Sequence, residues 1–227
     1  MTPFTPEDLT SIRLSLQVAV SATLLTLPFG YGIAYLLAFS KMRGKAILEG
    51  LINLPLVLPP VVVGYLLLLS FGKNGFLGAI LARMGISVIF TLKGAIIASS
   101  VVGFPLLVRS IRIGMEGINH QYMQASRTLG AGFWDTLFSI TIPLSLRATL
   151  AGMTLMFARS LGEFGATIIL AGNIPGVTQT IPLSIYQYTS TPGGDGMALK
   201  LCMVSIGLSF VVLLVSEAAN RTMTKRM

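Results

Sequence analysis

Two ionisable residues, Arg159 and Glu163, stand four positions apart inside an otherwise apolar stretch of this chain. Residues at this spacing share one face of a helix, where a guanidinium and a carboxylate can pair. Each such charge costs about 2.5–3.5 kcal/mol inside a bilayer, so it should face protein or water. Two interpretations follow: a structural strut formed by mutual neutralisation, or a direct role along a polar path or at its gate.

Residues suited to metal or nucleotide chemistry are scarce. His120 is the only histidine and Cys202 the only cysteine, so neither a metal-ligand cluster nor an intrachain disulfide is expected. Neither Gly44-Lys45 nor Gly72-Lys73 is followed by the Ser or Thr that a phosphate-binding loop requires. We therefore expect no catalytic residue, no metal and no cofactor in this chain, and no ATP hydrolysis by it.

The composition indicates a membrane protein. Of 227 residues, 53% are hydrophobic and only 11% are charged, whereas soluble domains carry about 25% charged residues. The net charge of +8 could suggest nucleic acid, but the bases flank apolar segments, where membrane orientation explains them better. Runs without any Asp, Glu, Lys or Arg cover residues 14–40, 50–72, 94–108, 164–194 and 201–216.

The apolar runs predict an all-α polytopic membrane protein, because a spanning helix needs about 20 mostly apolar residues. Residues 1–227 are read as one transmembrane domain without an internal repeat or a soluble domain. The acidic start, without a base before residue 13, predicts that the first helix is retained rather than cleaved. Five spans are predicted, at about residues 12–39, 48–71, 92–115, 146–171 and 198–219.

Residues 174–190 are predicted to remain on one side of the membrane. Ile174-Pro175-Gly176 breaks any helix, and the apolar remainder at 180–189 is too short to cross. A short interfacial helix and a re-entrant helix both fit this pattern.

Three prolines interrupt the second predicted span, Pro55, Pro59 and Pro60. Each removes a backbone donor, and the carbonyls that are freed need protein or water as partners in hydrocarbon. The pattern fits a simple structural kink or a broken helix that lines a path, which makes Pro59 and Pro60 candidates for a path or gate.

A polar, helix-forming segment between two predicted spans lies at residues 119–142. Asn119 is a suitable N-cap, residues 120–129 are predicted to be helical, and Gly130 suits a left-handed stop. Three- and four-residue spacing predicts one helix face that carries Tyr122, Ala125, Ser126 and Leu129. On composition alone, an ordinary amphipathic connector explains this segment equally well.

The spacing inside this segment resembles the cytoplasmic coupling loop of permease subunits in binding-protein-dependent ABC importers. Their pattern is Glu-Ala-Ala, three residues, Gly, nine residues and Ile-x-Leu-Pro; here it reads Gln-Ala-Ser, three residues, Gly130, nine residues and Ile140-x-Ile142-Pro143. The resemblance implies a helix that docks in a groove on a separate ATPase subunit. The implied contacts are Gln124, Ala125, Ser126, Thr128, Leu129 and Gly130.

A cytoplasmic position for residues 119–142 sets the orientation of the other segments. The N-terminus then lies outside and the C-terminus inside. Ten Lys and Arg residues fall inside or at the inner boundary and five fall outside, three of them in the loop at 72–93. This excess of inner bases favours the orientation.

Further stretches resemble the molybdate permease family (ModB) over nearly the whole chain. They include Pro55–Tyr65, Phe157–Thr167 and Asn173–Gly176, and Thr180-Ile181-Pro182 with the later Pro192-Gly193-Gly194. Sulfate and thiosulfate permeases share some of them, and tungstate would fit as well as molybdate. The resemblance implies a type I ABC importer permease in the bacterial inner membrane.

The same resemblance implies several partners and a mechanism. They are a second copy of the chain, two cytoplasmic ATPase subunits that bind ATP and magnesium, and a periplasmic or lipid-anchored molybdate-binding protein. Membrane lipid surrounds the assembly, and nucleic acid is not expected. The implied mechanism is alternating access driven by the ATPase subunits.

Two functions of other classes compete with this interpretation. A self-sufficient secondary transporter or channel would move substrate without ATP or a partner, whereas a membrane scaffold would not transport at all. Five spans without a repeat and a single Arg/Glu pair argue against the first. The loop spacing and the proline-broken span argue against the second.

Overall fold

The computed structural model describes residues 4–40, 42–73 and 75–224, with side chains described as far as residue 218. All regular structure in these ranges is helical, which confirms the all-α fold. A π-helical turn at Leu137–Thr141 joins two of the helices. The α-helices are α1 (Pro6–Phe39), α2 (Lys45–Val57), α3 (Pro60–Phe71), α4 (Phe76–Arg83), α5 (Leu92–Glu116), α6 (His120–Thr128), α7 (Phe133–Thr136), α8 (Ile142–Leu161), α9 (Gly165–Leu170), α10 (Ile181–Thr189) and α11 (Asp195–Thr224).

Four helical segments of the described chain are long and apolar enough to cross a membrane: α1, α5, α11 and the continuous stretch Phe133–Leu161. The bent pair of α2 and α3 makes a fifth crossing if the two count together. The first, third and fifth predicted spans are confirmed, with each end within six residues of the predicted one.

The predicted bounds of the fourth span, 146–171, are wrong. The helix already begins at Phe133, and α8 ends at Leu161. Residues 162–164 interrupt the helix before the short α9 begins at Gly165. Apart from Arg159 and Glu163, the residues on both sides of this interruption are apolar or small, so the overall hydropathy pattern did not locate it.

Helix α5 lies at the centre of the described bundle. Its buried Leu107, Ile111 and Met115 pack with α1 and α8 in one core, and its Ala98 and Val102 pack with α3 and α9 in another. Small residues bring α5 and α8 close together: a Cβ on Gly114 would lie 2.1 Å from Ala148 Cβ. Such close packing between apolar helices gains dispersion energy that lipid contacts do not supply.

The predicted short helix after residue 180 is confirmed as α10, which is only nine residues long and held against the start of α1. The hydroxyls of Ser11 and Ser184 share a hydrogen bond at 2.7 Å, and Ile181 N–H donates to Ser15 Oγ at 2.7 Å. Tyr188 OH donates to the buried Asp8 carboxylate at 2.9 Å. Burial, and then this bond, raise the pKa of Tyr188. These contacts fix α10 on the N-terminal end of α1.

Candidate functional site

The first candidate region is α6 with its two ends. Asn119 Oδ1 accepts a hydrogen bond from Gln121 N–H at 2.9 Å, so Asn119 is the N-cap. Gly130 has φ +83° and follows the C-cap, while Ala131 N–H donates to Ser126 O at 3.0 Å. A left-handed glycine with this bond is a common helix stop. The predicted cap, helix and stop are all confirmed.

The exposed surface of α6 carries five of the six predicted contact residues: Gln124, Ala125, Thr128, Leu129 and Gly130. Leu129 is 87% exposed, the largest exposed fraction among the large hydrophobic residues that the structure describes. Met123 and Ser126 form the opposite, buried side. Because these two side chains hold α6 against its own chain, the exposed side remains open to a partner.

The predicted helix face was wrong in one member, Ser126, which is only 8% exposed and turned inward. Its hydroxyl donates to Met123 O at 3.0 Å and lies 3.1 Å from Thr136 Oγ1. A residue buried in this way cannot touch a partner in this arrangement. We therefore conclude that Ser126 holds α6 against α7, and we remove it from the set of predicted contact residues.

A chain of polar contacts that sequence reasoning missed runs from Ser126 into the membrane bundle. Thr141 Oγ1 donates to Thr136 O at 3.4 Å, and Ser145 Oγ donates to Thr141 O at 2.6 Å. Ser145 Oγ also lies 2.8 Å from Tyr31 OH on α1. The chain crosses the π-helical turn, a form that often occurs at functional positions in helices. Its sequence signal is weak: hydroxyl residues recur at spacings of five and four positions from Thr136 to Ser145, but Ser126 lies ten positions before Thr136.

Aromatic residues cluster after Gly132. The Phe133 ring meets Tyr35 edge-on at 5.6 Å, while Trp134 and Phe138 stack at 6.1 Å. Phe133, Trp134 and Phe138 are largely exposed, so they are available to lipid or to a neighbouring chain.

The second candidate region begins where α2 ends, at two adjacent prolines. Helices α2 and α3 meet at 112°, with Pro59 as the N-cap of α3 and Pro60 as its first residue. Leu58 is extended, with ψ 143°, as expected for a residue before proline. The predicted broken helix is therefore confirmed. Pro59 is exposed and Pro60 is half-buried.

The other half of this region is the break between α8 and α9. Arg159 Nη1 lies 2.6 Å from Glu163 Oε2, which confirms the predicted ion pair. Glu163 Oε1 accepts a hydrogen bond from Ala166 N–H at 2.8 Å. Glu163 is 2% exposed, whereas the Arg159 side chain is 30% exposed. The carboxylate thus supports α9 from within, and the guanidinium reaches the surface of the chain.

The two breaks lie against each other. A Cβ on Gly165 would lie 2.9 Å from Pro60 Cβ, and a Cβ on Gly64 would lie 2.8 Å from Ala166 Cα. Only glycine permits this approach at either position. The structure therefore brings all four predicted path candidates, Pro59, Pro60, Arg159 and Glu163, to one place, here called the junction.

Helix α8 connects the two regions. The N-terminal end of α8 continues from the π-helical turn beside the α6 loop, residues 119–132. Its C-terminal end carries Arg159 at the junction. Among the residues that the structure describes, no group of three or more His, Cys, Asp or Glu lies close enough to hold a metal ion. What the site offers is a polar exposed helix at one end, an ion pair at the other and a rigid connection between them.

A family model described as "Binding-protein-dependent transport system inner membrane component" matches residues 27–225. The molybdenum transport system permease protein ModB of Haemophilus influenzae is 50% identical over 221 residues, covering 97% of this chain and 96% of that protein. ModB of Escherichia coli K12 is 50% identical over 95% of each chain. ModB of Mycobacterium tuberculosis is 40% identical over 92% of this chain and 79% of that protein.

Two solved structures share the fold. A bacterial ABC transporter involved in the import of alginate matches with TM-score 0.78 at 15% identity, over 96% of this chain and 80% of that one. The MetNI methionine ABC transporter, in inward-facing conformations, matches with TM-score 0.73 at 14% identity over 94% of each chain. The fold is that of a type I ABC importer permease. This multi-pass chain belongs to the family of inner membrane components of binding-protein-dependent transport systems, together with the molybdenum transport permeases.

Proposed function

We propose that this chain is the permease subunit of an ATP-driven importer whose cargo is molybdate. The observation that carries the proposal is 50% identity to a molybdenum transport permease over nearly the full length of both chains. The site geometry supports the same role. An exposed helix held rigidly at both ends suits docking to another protein, and a broken pair of helices suits a path through the bundle.

The proposed assembly contains two copies of this chain, two cytoplasmic ATPase subunits and a periplasmic or lipid-anchored molybdate-binding protein. ATP and magnesium would bind the ATPase subunits, while this chain would hold no cofactor. The match to an alginate transporter solved with a periplasmic protein supports partners of this kind. The docking surface would consist of the exposed residues of α6 and its stop: Gln124, Ala125, Thr128, Leu129 and Gly130.

The mechanism would be alternating access between two states, biased by nucleotide and by the loaded receptor. Closure of the ATPase subunits would move α6, and the buried Ser126 and Thr136 contacts would carry this motion to the start of α8. Helix α8 would pass it to the junction, where two broken helices can change their angle. The N-terminus would lie outside and the C-terminus in the cytoplasm.

Uptake of labelled molybdate by a strain that lacks its own importer, complemented with this permease and its partner subunits, tests the proposal. Unlabelled tungstate should compete almost as well as molybdate, because the two dianions nearly coincide in charge and size. Sulfate in tenfold excess should compete weakly. Sulfate or thiosulfate uptake without molybdate uptake would overturn the cargo assignment in favour of that alternative.

A further inference from the structure

The Arg159–Glu163 pair is arranged unevenly. Glu163 is enclosed by the chain and is used twice, by Ala166 N–H and by Arg159. Arg159 uses Nη1 for the pair, and 30% of its side chain remains exposed. The Glu163 carboxylate is therefore buried, whereas part of the Arg159 side chain is exposed.

The level of this cation in the membrane follows from the second predicted span. When the bent pair of α2 and α3 counts as one crossing, Pro59 separates arms of 13 and 12 residues, so the break lies near the middle of that crossing. Pro60 packs on Gly165, which places the α8–α9 break at the same level. A guanidinium at this depth faces protein or water rather than hydrocarbon.

The surroundings of Arg159 also fit a water-filled route. Pro59 at the junction and Gly162, three residues after Arg159, are both exposed, and each lies where a helix is interrupted. Irregular backbone at membrane depth is tolerated only where it lies against protein or lines a water-filled cavity. The exposed side of the junction therefore belongs to the interior of the assembled permease.

We propose that Arg159 is the contact for the oxyanion cargo inside the path, and that Glu163 keeps this contact weak. The inference rests on the proposed function, because it takes a dianion as cargo. A planar guanidinium can donate to two oxyanion oxygens at once. Glu163 already neutralises the guanidinium, so an arriving anion competes with an internal carboxylate. Conduction requires binding that is favourable enough to enter and weak enough to leave.

Glu163→Gln separates this role from a structural one. Glutamine keeps the size of the side chain and an Oε1 that can accept from Ala166 N–H, so the support of α9 is preserved. Only the competing charge is lost. In proteoliposomes with the complete transporter, we expect the KM for molybdate to fall roughly three- to tenfold. The maximal rate should fall as well, because release becomes slower.

Removal of the guanidinium should have the opposite effect on KM. The double variant Arg159→Gln/Glu163→Gln leaves no unpaired buried charge, so its folding is protected. Its KM should rise above that of the wild type. Glu49→Gln is the matched control, because it removes the same charge from a second arginine pair, Glu49 Oε1 to Arg112 Nη1 at 2.6 Å, on α2 and the last turns of α5. Its KM should stay unchanged.

A second measurement requires no cargo. In a Cys202→Ala background, Gly162→Cys places a thiol at an exposed position, where an added Cβ meets only Ala158 O at 4.0 Å. We expect the anionic reagent sulfonatoethyl methanethiosulfonate to react faster than its cationic trimethylammonium analogue. Adding Glu163→Gln should enlarge this preference, and adding the double substitution should abolish it.

Two results would overturn the inference: shifts of KM in the same direction in the single and double variants, or an unchanged KM in both. A thiol at position 162 without charge preference would also contradict it. Absence of molybdate uptake by the wild-type vesicles is a different failure, because it removes the cargo assignment, while the thiol reaction still tests Arg159.

Discussion

The α6 loop and the junction solve opposite problems. Helix α6 exposes most of its residues and is held by a few directional hydrogen bonds at its ends and by Ser126. The junction contains two short helices whose backbones touch through glycine, with almost no freedom to change a side chain. The exposed side of α6 is therefore suited to binding another protein. The close packing at the junction instead holds the two helix breaks in a fixed position relative to each other. Substitutions should affect assembly at the junction and coupling at the loop.

The largest expected effect lies at the junction. Gly64→Ala places a Cβ 2.8 Å from both Cα and O of Ala166, and this backbone cannot move without shifting α9. We expect a loss of about 1–3 kcal/mol in stability, the usual range for overpacking. Thermal unfolding in detergent measures it. Gly32→Ala on α1 is the control, since its Cβ would meet nothing within 4 Å. An equal loss of stability in the Gly32 variant would contradict the close packing assigned to Gly64.

The next effect should appear at the loop as lost coupling without lost stability. Leu129→Asp puts a charge on a leucine of the docking surface that is 87% exposed. Receptor-stimulated ATPase activity of the complete transporter should fall about tenfold or more, as expected for an anchor removed from an apolar groove. Gln121→Asp, on the first turn of α6, is the matched control. Full stimulation of the Leu129 variant would contradict the docking role of this surface.

A smaller effect is expected for the polar chain behind α6. Ser126→Ala removes hydrogen bonds to Met123 O and Thr136 Oγ1 in a buried place. Stability should fall by about 1 kcal/mol, and the loop should exchange its amide hydrogens faster. Thr128→Ala is the control, because its hydroxyl bonds only within its own exposed turn. Equal exchange in both variants would show that Ser126 does not hold α6.

The smallest effect should follow loss of the helix cap. Asn119→Ala removes the bond to Gln121 N–H and should cost about 1 kcal/mol of local helix stability, with little change in global unfolding. Asn119→Asp should restore the cap. Hydrogen exchange of residues 120–124 measures both. Identical exchange in the alanine variant and the wild type would rule out the cap.

The loop was predictable because its determinants are local. Asn119, Gly130 and the spacing between them specify a cap, a helix and a stop within a dozen residues. The inward turn of Ser126 was missed, although Met123, three positions earlier, already marked the buried side. The predicted face used Tyr122 and Leu129 as its apolar members, and both proved to be exposed.

The junction was predictable only in part. The prolines predicted the break at Pro59, and the four-residue spacing of Arg159 and Glu163 predicted their ion pair. The contact between the two helix breaks depends on residues about a hundred positions apart in the sequence, such as Pro60 and Gly165. The end of α8 at Leu161 was missed because apolar residues continue on both sides of it, although Gly162 and Gly165 around Glu163 offered a hint. Packing sets this geometry, and one sequence does not reveal packing.

Accessibility of the exposed end of α6 tests the central claim most directly. A single thiol at Leu129→Cys, in a Cys202→Ala background, would be labelled with a membrane-impermeant maleimide in vesicles of known orientation. We expect labelling only from the cytoplasmic side, and strong protection of the thiol when the ATPase subunits are bound. Labelling from the opposite side, or equal labelling with and without the ATPase subunits, would contradict it.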